Sequence, residues 1–359
     1  MVSVLAGTYG NPSSVHEEGR RARSSVEEAR RRVAGLIAAQ TETIVFTSGG
    51  TEADALGIVG LARIASKRGR PRVIAVPGIE HPAVHGAVDW LVERGWQAVA
   101  LPVDSNGAVD GDAFERACAD GLGVVAVALA NHEVGTVQPL RQLVEVARAH
   151  DVLTHADAVQ AVGKMPVDVG ELDVDSLAIS GHKIYGPKGV GALYVKVGLD
   201  LAPMFPGGHQ ERERRPGTEN VPGIVGMGVA AELAASLGSG AAVGALRDRL
   251  ERGLRAIDGA TINACDVERV PNTCSVRFDG ALGETVVTAL DLEGFAVSTG
   301  AACTSGSTEP SAVLLAMGRS EPQARECVRF SLGRATTEQD VDRLLSKLPA
   351  IVDRARKFG

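Results

Sequence analysis

Along the first two-thirds of the chain, short apolar and β-branched runs alternate with longer stretches whose apolar positions recur every three or four residues. The run Val124-Val125-Ala126-Val127-Ala128-Leu129 carries no polar residue, the pattern of a parallel strand covered on both faces. Strands are predicted over 43–46, 72–76, 124–129, 152–155, 176–179 and 191–195, and helices over 52–65, 83–93 and 140–150. Such alternation predicts βαβ units, hence an α/β fold with a mostly parallel sheet and helices on both faces.

A helical stretch at 226–237 ends at Gly238-Ser239-Gly240, small residues that suggest a linker. Beyond it the pattern becomes α+β, with helices over 243–257, 284–292 and 337–356 and strands over 273–278 and 328–332. This predicts a large domain over 11–238 and a smaller C-terminal domain over 239–359, with residues 1–10 packing on the smaller one. An early helix over 14–39 interleaves Glu with Arg20, Arg21, Arg23, Arg30, Arg31 and Arg32, and is expected to present a solvated face of helical ion pairs.

With 359 residues, 45 % of them hydrophobic and 23 % charged, the chain reads as an ordinary soluble enzyme. Its formal charge of −7 argues against a broad basic field, so no direct nucleic-acid binding is expected. No apolar run has transmembrane length and the start does not read as a signal peptide, so no membrane contact and a cytoplasmic location are expected. The cysteines number five, an odd count, with no C-x-x-C pair. That pattern predicts reduced thiols and no zinc site.

Ligands of open α/β sheets sit at the carboxyl ends of strands, and several strand ends here carry suggestive residues. Ser180-Gly181-His182-Lys183 follows the strand at 176–179. Lys183 is a candidate for Schiff-base chemistry, which partial burial near other cations favours; the alternative is a surface lysine. After the strand at 152–155 comes His155-Ala156-Asp157-Ala158-Val159-Gln160. Asp157 suits a protonated pyridine nitrogen, which makes such a ring an electron sink, with Gln160 donating to a ring hydroxyl. Equally, Asp157 can cap a helix that begins near Ala158.

Thr47-Ser48-Gly49-Gly50-Thr51-Glu52 joins a strand to a helix and suits a phosphate held by backbone amides, although it is no Walker loop. A plain capped turn is the alternative. In Glu80-His81-Pro82-Ala83-Val84-His85, His81 can stack on a planar cofactor and shuttle protons. The pair His81 and His85 lacks the HExxH arrangement, and no metal is expected. Gly226-Met227-Gly228-Val229-Ala230-Ala231 mimics a dinucleotide fingerprint but follows no strand, so it reads as helix packing. Gly300-Ala301-Ala302-Cys303-Thr304-Ser305-Gly306-Ser307 predicts an exposed loop with an accessible thiol. Cys118, Cys265, Cys274 and Cys327 are expected to be buried. Arg329, in the strand at 328–332, can fork onto a carboxylate.

Together these segments resemble the NifS/IscS-like cysteine desulfurases, a branch of the class V aminotransferase family with the type I fold of pyridoxal-5′-phosphate (PLP) enzymes. The resemblance runs from about Gly10 to about Arg356. It rests on Gly10-Asn11-Pro12-Ser13-Ser14-Val15-His16, Phe46-Thr47-Ser48-Gly49-Gly50-Thr51-Glu52, Ser180-Gly181-His182-Lys183-Ile184-Tyr185-Gly186-Pro187-Lys188-Gly189, Arg215-Pro216-Gly217-Thr218-Glu219-Asn220 and Val328-Arg329-Phe330-Ser331-Leu332-Gly333-Arg334, in that order. The Ala301-Ala302-Cys303-Thr304-Ser305-Gly306 stretch with Glu309-Pro310-Ser311 looks like that group's longer sulfur-transfer loop.

The resemblance implies a large domain with a seven-stranded-type sheet, PLP as cofactor, and conversion of L-cysteine to L-alanine with sulfur left as a persulfide on Cys303. It implies a homodimer whose partner is an iron–sulfur scaffold or another sulfur acceptor, serving iron–sulfur cluster assembly or thiolation. Lys183 would hold the cofactor and act as base, His81 would stack on the ring, and Asp157 and Gln160 would meet its nitrogen and hydroxyl. Gly50, Thr51, Ser180 and His182 would bind the phosphate, with Thr218 reaching in from the other subunit. Arg329, His132 and Asn11 would bind the substrate. His132 and Ala55 stand where the family commonly reads Asn, and the family's opening Leu-Asp-x-Asn-Ala-Thr-Thr-Pro-like segment does not appear before Gly10. Alternatives are another class V PLP enzyme, such as a selenocysteine lyase or an aminotransferase-like paralogue, or a non-catalytic homologue that docks partners.

Overall fold

The computed structural model describes residues 1–238, 240–300 and 309–358. Its large domain is built on seven strands: β1 (Ile44–Thr47), β2 (Val73–Pro77), β3 (Gln97–Leu101), β4 (Val124–Ala128), β5 (Leu153–Asp157), β6 (Ser176–Ser180) and β7 (Gly191–Val195). They lie in the order β1-β7-β6-β5-β4-β2-β3. All neighbours are parallel except β7, which runs antiparallel to both β1 and β6. Every residue of β4, β5, β6 and β7 is buried, as in central strands covered on both faces, although β5 carries Thr154, His155 and Asp157.

The helix Gly50–Lys67 crosses β5, β6 and β7 at close range. Glycine makes this possible: a Cβ on Gly57 would sit 2.6 Å from His155 Nδ1. On another part of the domain, the helices Glu17–Leu36 and Val221–Leu237 pack together, with Gly228 so near that a Cβ there would lie 2.7 Å from Ala29 Cα. The glycine pattern at 226–231 is therefore a packing surface.

One expectation is corrected here, and another, the solvated face of helical ion pairs, holds except at Arg30. The short helix Val2–Gly7 packs against Val221–Leu237 of the large domain, and Val4 joins that domain's core with Ala22 and Val26. Among the described residues, Val4 thus finds its apolar partners on the helices beside it rather than on the small domain. The early helix is also less uniformly solvated than its charges suggest. Arg21 pairs with Glu17 at the surface, but Arg30 shares a face with buried Val26 and Val33 and is itself buried. Its Nη1 and Nη2 fork onto Glu211 at 2.6 and 2.8 Å, and Glu211 also accepts the Phe46 N–H at 2.8 Å.

The small domain holds an antiparallel sheet of β8 (Ala260–Ile262), β9 (Thr273–Phe278) and β10 (Cys327–Ser331), in the order β10-β9-β8. The helices Ala241–Leu254, Gly283–Leu292 and Glu338–Phe358 contribute to its own core, which includes Leu250, Phe278, Val286 and Leu348. Cys118, Cys274 and Cys327 are buried, whereas Cys265 is only half-buried.

Candidate active site

Parallel pairing sets Asp157, the last residue of β5, opposite Ala178 of β6. Two residues later β6 ends at Ser180 and the chain turns through a tight 3-10 helix, Gly181–Ile184, which carries Lys183. The turn closes on Tyr185, held at φ 65°. Ser180 Oγ and His182 Nδ1 are 2.9 Å apart. Helix Gly50–Lys67 begins beside them: a Cβ on Gly50 would approach Val159 Cγ2 to 2.9 Å and Ser180 Cβ to 3.5 Å. No side chain caps this helix at Gly49, so its first amides stay available for an anion, and Thr51 is exposed in that first turn.

Asp157 is buried, and its Oδ1 accepts the Val159 N–H at 2.8 Å. It does cap a turn, and the Lys183 charge acts on it, weakly against the burial that dominates. Burial, with Asp54 nearby, pushes its carboxyl up to about 7. Sequence reasoning missed the polar layer beneath. Asp54 Oδ1 lies 3.2 Å from His155 Nε2, and His155 Nδ1 lies 2.8 Å from Ser176 Oγ. Burial lifts Asp54 to about 8 and drops His155 to about 4, so the imidazole is neutral. Glu80 is also buried, accepts the Ala128 N–H at 3.0 Å through Oε1, and is pushed well above the usual carboxylate range. A cation near Asp157, such as a protonated ring nitrogen, would favour its ionised form over its buried neighbours.

His81 caps the helix Pro82–Val92, its Nδ1 accepting the Ala83 N–H at 3.1 Å. Burial and the Lys183 charge lower its pKa, so the neutral ring carries its proton on Nε2. The His132 ring meets it edge-on, with centroids 5.3 Å apart, and burial holds His132 down to about 3. Neighbouring Glu133 accepts the Ser311 hydroxyl at 2.5 Å, and burial raises its pKa. Arg329, on β10, donates through Nη1 to the His132 carbonyl at 2.9 Å. Its Nε is buried with no partner among the described residues, which suits a substrate carboxylate.

Lys183, Asp157, Gln160, Gly50, Ser180, His182, His81, His132 and Arg329 thus gather where β5 and β6 meet the small domain. Three predicted residues stand differently. Asn11 is exposed and makes a local turn, accepting the Ser13 N–H at 2.9 Å. Thr218 is exposed and lines a separate small cavity with Ser48 and Arg215. Cys303 lies outside the described residues. Lys164 was missed altogether: its ammonium donates to Gln160 Oε1, and with Lys183 it lines an interdomain cavity of about 240 Å³ that also includes Asn272 and Arg334. A Gln and a Lys four apart were the only signal, and such spacing is common.

A mostly parallel seven-stranded sheet that ends on a lysine turn, topped by a small α+β domain, defines a large enzyme class, and the chain belongs to the Aminotransferase class-V family, which it matches over residues 1–344. Within that family it is 41 % identical over 361 residues to "Cysteine desulfurase IscS" of Methanosarcina thermophila, covering 100 % of this chain and 89 % of that protein. Among solved structures it resembles a "NIFS-LIKE PROTEIN" at 36 % identity and a TM-score of 0.91, covering 98 % of this chain and 94 % of that one. It also resembles "SspA in complex with cysteine" at 32 % identity and a TM-score of 0.80, covering 92 % of each. Members of this family are generally PLP-dependent. The residues here fit that group: a buried carboxylate for the nitrogen, an uncapped helix start for the phosphate, and Gly50 where a side chain would intrude.

Proposed function

We propose that this chain is a PLP-dependent cysteine desulfurase that turns L-cysteine into L-alanine and passes the sulfur to Cys303. The observation that carries the reading is the convergence of Lys183, Asp157 and the Gly50 helix start at the carboxyl ends of β6, β5 and β1, with Arg329 of β10 bonded to the His132 carbonyl beside them. When bound, the cofactor supplies an electron sink. The chain's own residues do the rest. Lys183 holds the cofactor and moves the proton at the substrate's α carbon. Neutral His81 stacks on the ring and holds a proton on Nε2. Arg329 fixes the substrate carboxylate, beside His132. Cys303, as thiolate, attacks the substrate sulfur: the S–S bond of a persulfide forms, the Cβ–S bond breaks with its electron pair left on the substrate carbon, and protonation there leads to alanine.

The enzyme works as a cytoplasmic homodimer, with Thr218 of the partner subunit completing the phosphate site. Its persulfide feeds an iron–sulfur scaffold or another sulfur acceptor. Wild-type protein and Cys303→Ser, both supplied with PLP, should be given cysteine and assayed for alanine and protein-bound persulfide. Wild type should form both, while the variant stays yellow and loses persulfide and sulfide release. Unchanged desulfuration in Cys303→Ser would remove that thiol from the reaction. No alanine from PLP-loaded wild type would end the reading.

A further inference from the structure

We propose that Lys164 is a positioning residue, which fixes the Gln160 carboxamide on the ring-hydroxyl side of the cofactor site. The inference rests on the reading above, in which Gln160 faces that ring. After β5 the chain winds through a compact turn, with the Ala161 and Val162 N–H groups both donating to Ala158 O at 3.0 Å. It continues through Gly163 at φ 75°, where a Cβ would lie 2.7 Å from Ile184 Cγ2. The turn is therefore pressed against the Lys183 turn, and only glycine fits at the contact. This places Lys164 on the cavity that Lys183 also lines.

While Lys164 is protonated, its contact with Gln160 Oε1 has a single polarity. An ammonium can only donate, and a carboxamide accepts only through its oxygen. Lys164 thus claims the Gln160 oxygen and leaves the NH₂ to donate elsewhere, which is what a ring phenolate oxygen requires. Without Lys164 the amide is free to turn over and present an acceptor to another acceptor. Burial, and then the charges of Lys183 and Arg329, lower Lys164 to about 7 against the opposing pull of Asp157, so it adds a titratable positive charge beside the cofactor lysine.

The test uses full-length protein and PLP itself, with binding read by visible absorbance and folding by circular dichroism. Lys164→Met should weaken PLP binding about tenfold, the order expected for losing one charged hydrogen bond, and move the pH at which the bound cofactor's visible band changes to a higher value. Lys164→Arg should keep both properties near wild type, and Lys164→Gln serves if the Met variant fails to fold. Adding Gln160→Met to Lys164→Met should cost little more, because both act through one contact. Unchanged PLP affinity and band titration in Lys164→Met, or fully additive losses in the double variant, would overturn the proposal. Wild-type protein that takes up no PLP would instead overturn the underlying reading.

Discussion

Arg329 of the small domain donates through Nη1 to the main-chain oxygen of His132 in the large domain, at 2.9 Å. One bond therefore registers the proposed carboxylate receptor against the histidine that meets His81 edge-on. Tyr185, just past Lys183, ties the same two domains: its hydroxyl accepts the Arg334 N–H at 3.0 Å, and the Arg334 guanidinium lies 4.3 Å from its ring centroid. The distance between lysine and arginine is thus set by contacts that span the domain boundary.

Arg329→Lys keeps the charge but loses the fork and the bond to His132. A charged hydrogen bond is worth about 1.5–3 kcal/mol, so KM for cysteine should rise by about one to two orders of magnitude. The kcat should change far less, and PLP should remain bound. Steady-state kinetics decide: an unchanged KM would remove Arg329 from substrate binding.

The buried Asp54 makes a pH-dependent contribution to stability. Its carboxyl is raised from 3.8 to about 8 in the folded chain, so between those values the folded state holds a proton that the unfolded state has lost. Stability from this group therefore falls as pH rises through that window. His155, lowered to about 4, acts in the opposite sense between about 4 and its ordinary 6.5, and does so in both proteins compared. Asp54→Asn keeps an acceptor for His155 and removes the titration. Cofactor-free Asp54→Asn should gain Tm relative to wild type as pH goes from 5 to 8.5. Parallel Tm profiles would contradict this.

Much of this site is legible in the amino-acid sequence, and the reason is local. Lys183, Asp157 and Gly50 each stand at a strand-to-turn junction, and in a parallel sheet such junctions collect at one edge. Pattern also marked β9 and β10, because each mixes apolar and polar residues in a short run flanked by helical stretches. β3 (Gln97–Leu101) and β8 (Ala260–Ile262) escaped, the first because it is an edge strand with several exposed positions, the second because it is three residues long. Asp54, Glu80 and Glu211 escaped for a different reason. Each looks like an ordinary surface acid in its own segment, and only tertiary packing brings it against His155, Ala128 and Arg30. The candidate site residues at strand ends were readable from turns; the buried acids behind them were not.

The Arg30–Glu211 pair is buried on both sides, and removing Glu211 strips both Nη groups of their carboxylate, leaving Arg30 only the Glu27 contact on Nε at 3.3 Å and the Ile44 carbonyl at 2.9 Å. Glu211→Ala should cost about 3–5 kcal/mol, whereas changing both residues to Met should recover much of that loss. Urea unfolding measures both. A loss below about 1 kcal/mol in Glu211→Ala would mean that Arg30 finds water or another acceptor.

Two lysines line one cavity, and only Lys183 is assigned the cofactor. Purified protein supplied with PLP should be reduced with borohydride, digested and mapped by mass spectrometry. The account predicts one pyridoxyl adduct, on the peptide carrying Lys183, with none on the peptide carrying Lys164. An adduct confined to Lys164, or none on either lysine in protein that has turned yellow, would contradict it.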